Sequence, residues 1–382
     1  MTSKQFVLRF VGACLFLLAV VGLFNRLADP FWYYRDFEVK GFNAIKTKFA
    51  RYERDVKPAL LIREQPEAII LGSSYAEIGF DPDNPQFTQH GQLKSTNFAL
   101  AGALWPLVQC QFEFAITHAP VKRAVVGMFI GTDMPMANCD QDFASIGQVS
   151  ISELLFSSRA LIASLQTVKE QKKGNPSHTR SGMYFYTRDK AGVDHRFREE
   201  FMQRILANPQ CQQAVSSGYE PPLPLTEAKL DLRGLQHIMN LAHEHQVELV
   251  LFAYPYHAYS LELNKQCNTE RLRWQAMKQI ARLNEQQTEK AVAIWQFDAY
   301  NAITAEPVGT TANYWQDAAH FNFEMGNMML TDMFSGDKPT LGHLLTLPHI
   351  DEDYRNFLQQ RAEYLQNHPE FGMNLQKLLT AN

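Results

Sequence analysis

Short apolar runs closed by small or polar residues alternate along this chain with stretches of helical periodicity. The first run, Ala68–Leu71, follows a turn-like Glu64-Gln65-Pro66-Glu67 and stops at Gly72-Ser73-Ser74. Apolar runs this short and continuous read as strands buried on both faces. Similar runs predict strands over 95–102, 124–130, 247–253 and 291–297, with helical patterns over 106–118, 149–172, 230–246, 267–287 and 325–334. Strand and helix alternating at this spacing predict βαβ units and a parallel sheet. The expected fold class is therefore α/β, a three-layer αβα sandwich around a central parallel sheet of about five strands. Residues 181–225, with Pro221-Pro222-Leu223-Pro224, break the alternation and read as an insertion, a lid over the site. A mixed-charge segment over 35–65 carries a helical stretch at 42–51, and an amphipathic helix is expected near 351–367.

The N-terminal apolar stretch is of another kind. Lys4 and Arg9 precede an uncharged run from Phe10 to Phe24. Counted from Phe6, with Arg9 snorkelling, it approaches the ~20 residues that span a bilayer. Asn25-Arg26-Leu27-Ala28 is a poor small-residue cleavage site. The expectation is an uncleaved single-pass anchor through residues 6–24 of the inner (cytoplasmic) membrane, with the body on the periplasmic, extracytoplasmic side. Asp29-Pro30-Phe31-Trp32-Tyr33-Tyr34 reads as an aromatic interfacial belt. The expected organisation is an anchor over 1–28, a linker over 29–65, an α/β domain over 66–335 with the insertion near 173–225, and a C-terminal helical extension over 336–382.

Composition narrows the chemistry. A chain of 382 residues can bury a sizeable core, and a formal charge of -4 without a basic block gives nucleic acid no footprint. Of five cysteines, Cys14 lies in the apolar N-terminal run. Cys110, Cys139, Cys211 and Cys267 would face an oxidising compartment, where one or two disulfides are expected with their pairing left open. With no CxxC or HExxH, neither a metal nor a cofactor is expected.

In open α/β sheets ligands bind at the carboxyl ends of the strands. Those ends deliver Ser73 and Ser74, Gly102, Thr132 and Asp133, Tyr254 and His257, and Asp298, while the loop after the fifth strand adds Asp317 and His320. A serine at a strand end ordinarily caps the next helix, and Asp-x-x-His is ordinarily a capping Asp beside a surface His. In this order they suggest more: Asp317 can reach Nδ1 of His320 and leave Nε2 for a serine hydroxyl. His257 reads as an exposed loop histidine. Trp105, Tyr314 and Trp315 flank the rim, where sugar stacking and core packing explain them equally.

The ordered set resembles the SGNH (GDSL-type) hydrolase superfamily over roughly residues 66–335. Gly72-Ser73-Ser74 stands at its first block, Gly-Asp-Ser, with Ser74 at the nucleophile and Ser73 departing from the Asp. Asn97-Phe-Ala-Leu-Ala-Gly102 matches the second, with Gly102 at the oxyanion glycine. Asp317-Ala-Ala-His320-Phe321-Asn322 matches the last. The third block departs: Gly131-Thr132-Asp133 puts Thr132 where the family has its oxyanion asparagine. The serine at Ser73 and the anchor look like the membrane-anchored bacterial branch that includes the teichoic-acid D-alanyl-transfer and alginate O-acetylation proteins. The resemblance implies an SGNH/flavodoxin-like fold, Ser74, His320 and Asp317 as catalytic residues, and Gly102, Thr132, Ser73 and Asn97 as the oxyanion and substrate-binding set. It implies an esterase or O-acyltransferase for acyl groups of a cell-surface polysaccharide, partnered by the acyl donor, the glycan or a membrane-bound O-acyltransferase. Two alternatives are a degenerate scaffold that binds the glycan or the acyltransferase, which Thr132 favours, and a plain lipase or carboxylesterase with a more apolar groove.

Overall fold

The computed structural model describes residues 2–143, 150–172, 174–185, 192–207, 223–267, 269–287 and 291–380. In chain order the elements are α1 (Ser3–Ala28), α2 (Phe49–Glu64), β1 (Ala68–Leu71), α3 (Ser74–Gly79), β2 (Ser95–Asn97), α4 (Trp105–His118), β3 (Arg123–Met128) and α5 (Cys139–Asp142). There follow α6 (Ile151–Phe156), α7 (Ser158–Glu170), α8 (Val193–Ala207), α9 (Arg233–Glu244), β4 (Glu248–Ala253), α10 (Ala258–Gln266) and α11 (Glu270–Gln286). The last are β5 (Ala293–Gln296), α12 (Phe323–Phe334), β6 (His343–Leu344), α13 (Ile350–Asn367) and α14 (Pro369–Thr380). Two compact units result, Met1–Glu64 with Ala144–Phe185, and Gln65–Phe143 with Tyr186–Asn382. Residues 144–185 thus belong with the N-terminal unit, not with the α/β domain expected over 66–335.

In the first unit, α1 is long and apolar enough to cross a membrane. A capping box of Thr2 and Gln5 starts it, and residues 2–20 are exposed along it. Its C-terminal end is protein-covered instead. Asn25 Nδ2 donates to Leu155 O at 2.8 Å, and a Cβ at Gly22 would come within 2.6 Å of the Phe156 ring. Phe31 and Trp32, expected at a membrane interface, lie in this unit's core with Phe49, Val56, Leu60 and Leu154. The turn that buries them is built by Asp29, whose carboxylate accepts the N–H groups of Tyr33, Tyr34 and Arg35 at 2.8, 3.0 and 2.9 Å. The helix expected at 42–51 begins only at Phe49. The single helix expected over 149–172 is two, broken at Ser157, whose Oγ accepts the Ala160 N–H and donates to Glu153 O.

The second unit is built on a mostly parallel six-stranded sheet of order β2-β1-β3-β4-β5-β6. Ile69 sits between Thr96 and Ala124, and Leu251 between Val126 and Ile294. Every residue of β1 and β3 is buried, which explains the apolar run of β1 and that of β3 after Arg123. Where about five strands were expected there is a sixth, β6, antiparallel to β5 and two residues long, too short to leave a pattern in the sequence. The order of the first five strands is a doubly wound one, with the direction of winding reversing between β1 and β3. The C-terminal residues form part of this unit's core: Tyr354 and Phe357 pack on Trp274, and Phe371 on Tyr259.

Cys110 and Cys139 form a disulfide with Cα atoms 5.2 Å apart, tying α4 to α5. Cys267 is also disulfide-bonded, and Cys14 is free and exposed. Cys211 lies outside the described residues, as do 186–191 and 208–222 of the expected lid.

Candidate active site

The chain leaves β1 through Gly72 at φ +143, where a Cβ would stand 2.2 Å from the Tyr254 hydroxyl, so only glycine fits. Ser73 then caps α3. Its carbonyl accepts the N–H groups of Ala76 and Glu77, both at 3.0 Å, and its Oγ that of Tyr75 at 3.4 Å. The N–H of Ser74, the first helical residue, has no acceptor within the helix. Its side chain lies at the carboxyl end of β1, beside the switch point of the sheet.

The last segment of the site is shaped by Asp317. One carboxylate oxygen accepts the backbone N–H groups of Ala319 and His320 at 2.9 and 2.8 Å, folding the segment into a tight turn. The same turn sets the His320 ring, whose Nδ1 lies 2.9 Å from both carboxylate oxygens. A carboxylate only accepts, so Nδ1 carries the hydrogen and Nε2 of the neutral ring is an acceptor. Ser74 Oγ is 2.8 Å from that Nε2, across 246 residues of sequence.

What brings the two segments together is close packing at glycines. A Cβ at Gly79 would overlap the Phe321 ring at 2.1 Å, and one at Gly326 would meet the Gly79 carbonyl at 1.7 Å. Asn322 caps α12 by accepting the Glu324 and Met325 N–H groups, and Ser260 Oγ donates to Ala318 O at 2.8 Å. Ser74, His320 and Asp317 are thus one hydrogen-bonded line, with Asp317 buried at 4% exposure.

The expected oxyanion and substrate-binding residues have different fates. Gly102, at φ +69, follows β2 in a loop tied to β1 by the Leu100 N–H donating to Gly72 O at 3.1 Å. Asn97 is no substrate donor. It is buried, and its amide donates to the Ala76 and Phe80 carbonyls at 2.9 and 3.0 Å, clamping α3 against β2. Ser73 is consumed as the cap of α3. Thr132 is exposed, and its hydroxyl donates to Phe129 O at 2.9 Å.

Two tyrosines complete the site. Tyr254 ends the fourth apolar run on the rim, and its hydroxyl, in a task no sequence pattern marks, accepts the Ser73 N–H at 2.8 Å. Burial pushes that phenol up to about 12. Tyr75 was missed, although it directly follows Ser74. Its ring packs on Tyr254 and lies 4.9 Å from the His320 ring, and desolvation raises its pKa well above the usual phenol value. Behind them Arg273 joins the buried Asp298 at 2.6 Å and donates to Tyr254 O at 2.9 Å, fixing the end of β4.

His257 is fully buried rather than exposed. Its Nδ1 accepts the Tyr259 N–H and its Nε2 donates to Glu306 O, both at 3.1 Å, and burial lowers its pKa to about 3. Trp315 is buried with its N–H on Ile303 O at 3.0 Å, which makes it packing rather than a sugar platform. Helix α8, within the expected lid, touches the turn before Asp317 through Arg196, whose Nε donates to Gln316 O at 2.8 Å.

A cavity of about 540 Å³ has Ala103, Trp105, Phe129, Thr132 and Tyr254 among its walls, and Tyr254 links it to Ser73. No protein-family model matches the chain, and no curated protein matches it in sequence.

Proposed function

We propose that this protein is a serine esterase or O-acyltransferase of SGNH type, working through an acyl-Ser74 intermediate on acyl groups of a cell-envelope polysaccharide. The observation that carries the reading is the line from Ser74 Oγ through His320 to Asp317, with spacings of 2.8 and 2.9 Å. Ser74 Oγ attacks the carbonyl carbon of an ester or thioester, and its proton passes to His320 Nε2. The bond to the leaving alkoxide or thiolate breaks, and that group takes the proton from Nε2. Water, or a sugar hydroxyl in a transferase, then gives its proton to His320 and attacks the acyl-serine, and Ser74 leaves reprotonated. Asp317 holds the ring and stabilises the imidazolium. The Ser74 and Gly102 N–H groups are the oxyanion donors, with Thr132 spent elsewhere.

The strand order and the helical crossovers fit the three-layer αβα sandwich of such enzymes. The Cys110–Cys139 disulfide fits an oxidising, extracytoplasmic setting, and α1 fits a single-pass anchor in the inner membrane. In that setting the glycan, the acyl donor and a membrane-bound O-acyltransferase are the proposed partners. The hydroxyl of Thr132, bound to Phe129 O, favours one competing reading, a degenerate scaffold that binds these partners without turnover.

The test is a fluorophosphonate probe applied to the detergent-solubilised full chain and to Ser74→Ala, read by intact mass. A single adduct on the wild type alone supports an activated Ser74. Absence of an adduct on folded wild-type protein sinks the enzyme in favour of the scaffold.

A further inference from the structure

We infer that the cavity beside Ser74 is an acyl-chain pocket, and that the donor carries a straight acyl group longer than acetyl. This rests on Ser74 being the nucleophile, and it names what that serine accepts.

Position comes first. Ala103, on the cavity wall, is the residue after Gly102, and Tyr254, on the same wall, holds the residue before Ser74 through its hydroxyl. The cavity therefore starts one residue beyond Gly102 and, through the Tyr254 ring, next to Ser73; Gly102, Ser74 and His320 themselves do not line it. A carbonyl held by the Ser74 and Gly102 N–H groups reaches the cavity by sending its chain past Ala103 and Tyr254.

Chemistry comes second. Trp105, Val108, Phe129, Ile130 and Met134 supply apolar walls. Three polar side chains among the walls make hydrogen bonds within the protein: Thr132 Oγ1 donates to Phe129 O at 2.9 Å, Asp133 accepts the Asp231 N–H at 2.9 Å, and Tyr254 Oη accepts the Ser73 N–H at 2.8 Å. Tyr256 adds a further hydroxyl, and Trp105 Nε1 is buried without a partner among the described residues. A sugar ring needs many unspent donors and acceptors, whereas an alkyl chain is best served by few. Thr132 stands where an oxyanion asparagine would project an amide, and its hydroxyl is tied back to the chain, so the wall keeps no such amide.

Size comes third. Pockets that enclose drug-sized ligands span ~300–1,000 Å³. At about 540 Å³ the cavity falls within that range, and an acetyl group would leave most of it unfilled. Leu104, 69% exposed at the start of α4, lines the mouth.

The bonds made and broken are those of the Ser74 cycle above, and only the acyl group is new. The test compares p-nitrophenyl acetate, butyrate, hexanoate and octanoate on the full chain in detergent. A pocket that buries each added methylene raises kcat/KM by about fourfold per methylene. Ala103→Leu, or Leu104→Trp at the exposed mouth should the first fail to fold, should cut the octanoate-to-acetate ratio at least tenfold. Acetate as the best substrate, with no rise along the series, overturns the pocket and leaves the Ser74 reading intact. If no ester is turned over and Ser74 takes no probe, the Ser74 reading has failed instead. The pocket is then judged by titrating sodium octanoate against sodium acetate into folded Ser74→Ala. Saturable binding of octanoate alone upholds it, and no binding overturns it.

Discussion

Tyr254 reaches from the end of β4 across β3 to accept the Ser73 N–H at 2.8 Å. The crossing is possible because β3 carries Gly127, where a Cβ would lie 2.3 Å from the Tyr254 ring. A glycine inside a strand usually weakens it, and here it admits a ring that pins the residue before the candidate nucleophile. Gly127→Ala should therefore expel the ring and leave the Ser73 N–H unpaired, at a cost of ~1–3 kcal/mol from that donor alone. Tyr254→Phe should lose the hydrogen bond but keep the ring, and so cost less than Gly127→Ala in urea denaturation. Equal losses would mean that the hydroxyl carries the whole effect.

Asp317 does two things at once, turning the backbone and orienting His320. Asp317→Asn should lower kcat on p-nitrophenyl esters by ~10³–10⁴-fold, because an amide in that position favours the wrong ring tautomer. KM should change little. A loss below tenfold would show that His320 does not depend on this carboxylate.

Thr132 gives the opposite expectation. Removal of a true oxyanion donor costs ~10²–10³-fold in kcat. Because its hydroxyl is bound to Phe129 O, Thr132→Val should stay within about threefold of the wild type, set against that range. A hundredfold drop in steady-state kcat would put Thr132 back in the oxyanion site.

His257 makes stability depend on pH. Its folded pKa is lowered to about 3, below its ordinary value of 6.5, so between these the unfolded chain binds a proton that the folded chain refuses. Stability from this group is complete above about pH 6.5 and declines as pH falls toward 3, by up to ~1.4 kcal/mol per pH unit. His257→Gln, which keeps an acceptor for the Tyr259 N–H, should lose less stability than the wild type between pH 7 and pH 5. Chemical denaturation at the two values decides it, and parallel losses would show that His257 is not the titrating group.

The Cys110–Cys139 disulfide closes a separation of 29 residues. Replacing both cysteines by alanine should cost about 3.6 kcal/mol, the loop-closure value for that length. The same bridge holds α4, which contributes Trp105 and Val108 to the cavity, so the octanoate preference should fall with it. A denaturation midpoint unchanged from the wild type would leave the bridge without a stabilising part.

The elements that the sequence revealed are those whose burial is complete and local. Ala68–Leu71 is apolar at every position because both its faces are covered, and Gly72 marks its end because no other residue fits under Tyr254. Ser74, Asp317 and His320 were legible as residue types in a given order, but their meeting depends on Gly79 and Gly326, whose closeness no pattern records. Phe31 and Trp32 misled because an aromatic cluster shows what must be covered, not whether lipid or protein covers it. The same limit hid the return of 144–185 to the N-terminal unit. His257 misled because a histidine after Tyr-Pro looks solvent-facing until its two backbone partners are known.

Helix α3 is six residues long, too short to persist alone, and it is held by the Asn97 clamp on one side and by Phe321 and Gly326 on the other. During synthesis the serine emerges early and its last supports emerge almost 250 residues later, across the 246-residue gap to His320. A nascent chain that already contains β1 and α3 therefore carries an inert hydroxyl. The Ser74–His320 hydrogen bond can form only once the segment around Phe321 has docked on α3, so a fragment that stops short of it lacks the line from Ser74 to Asp317.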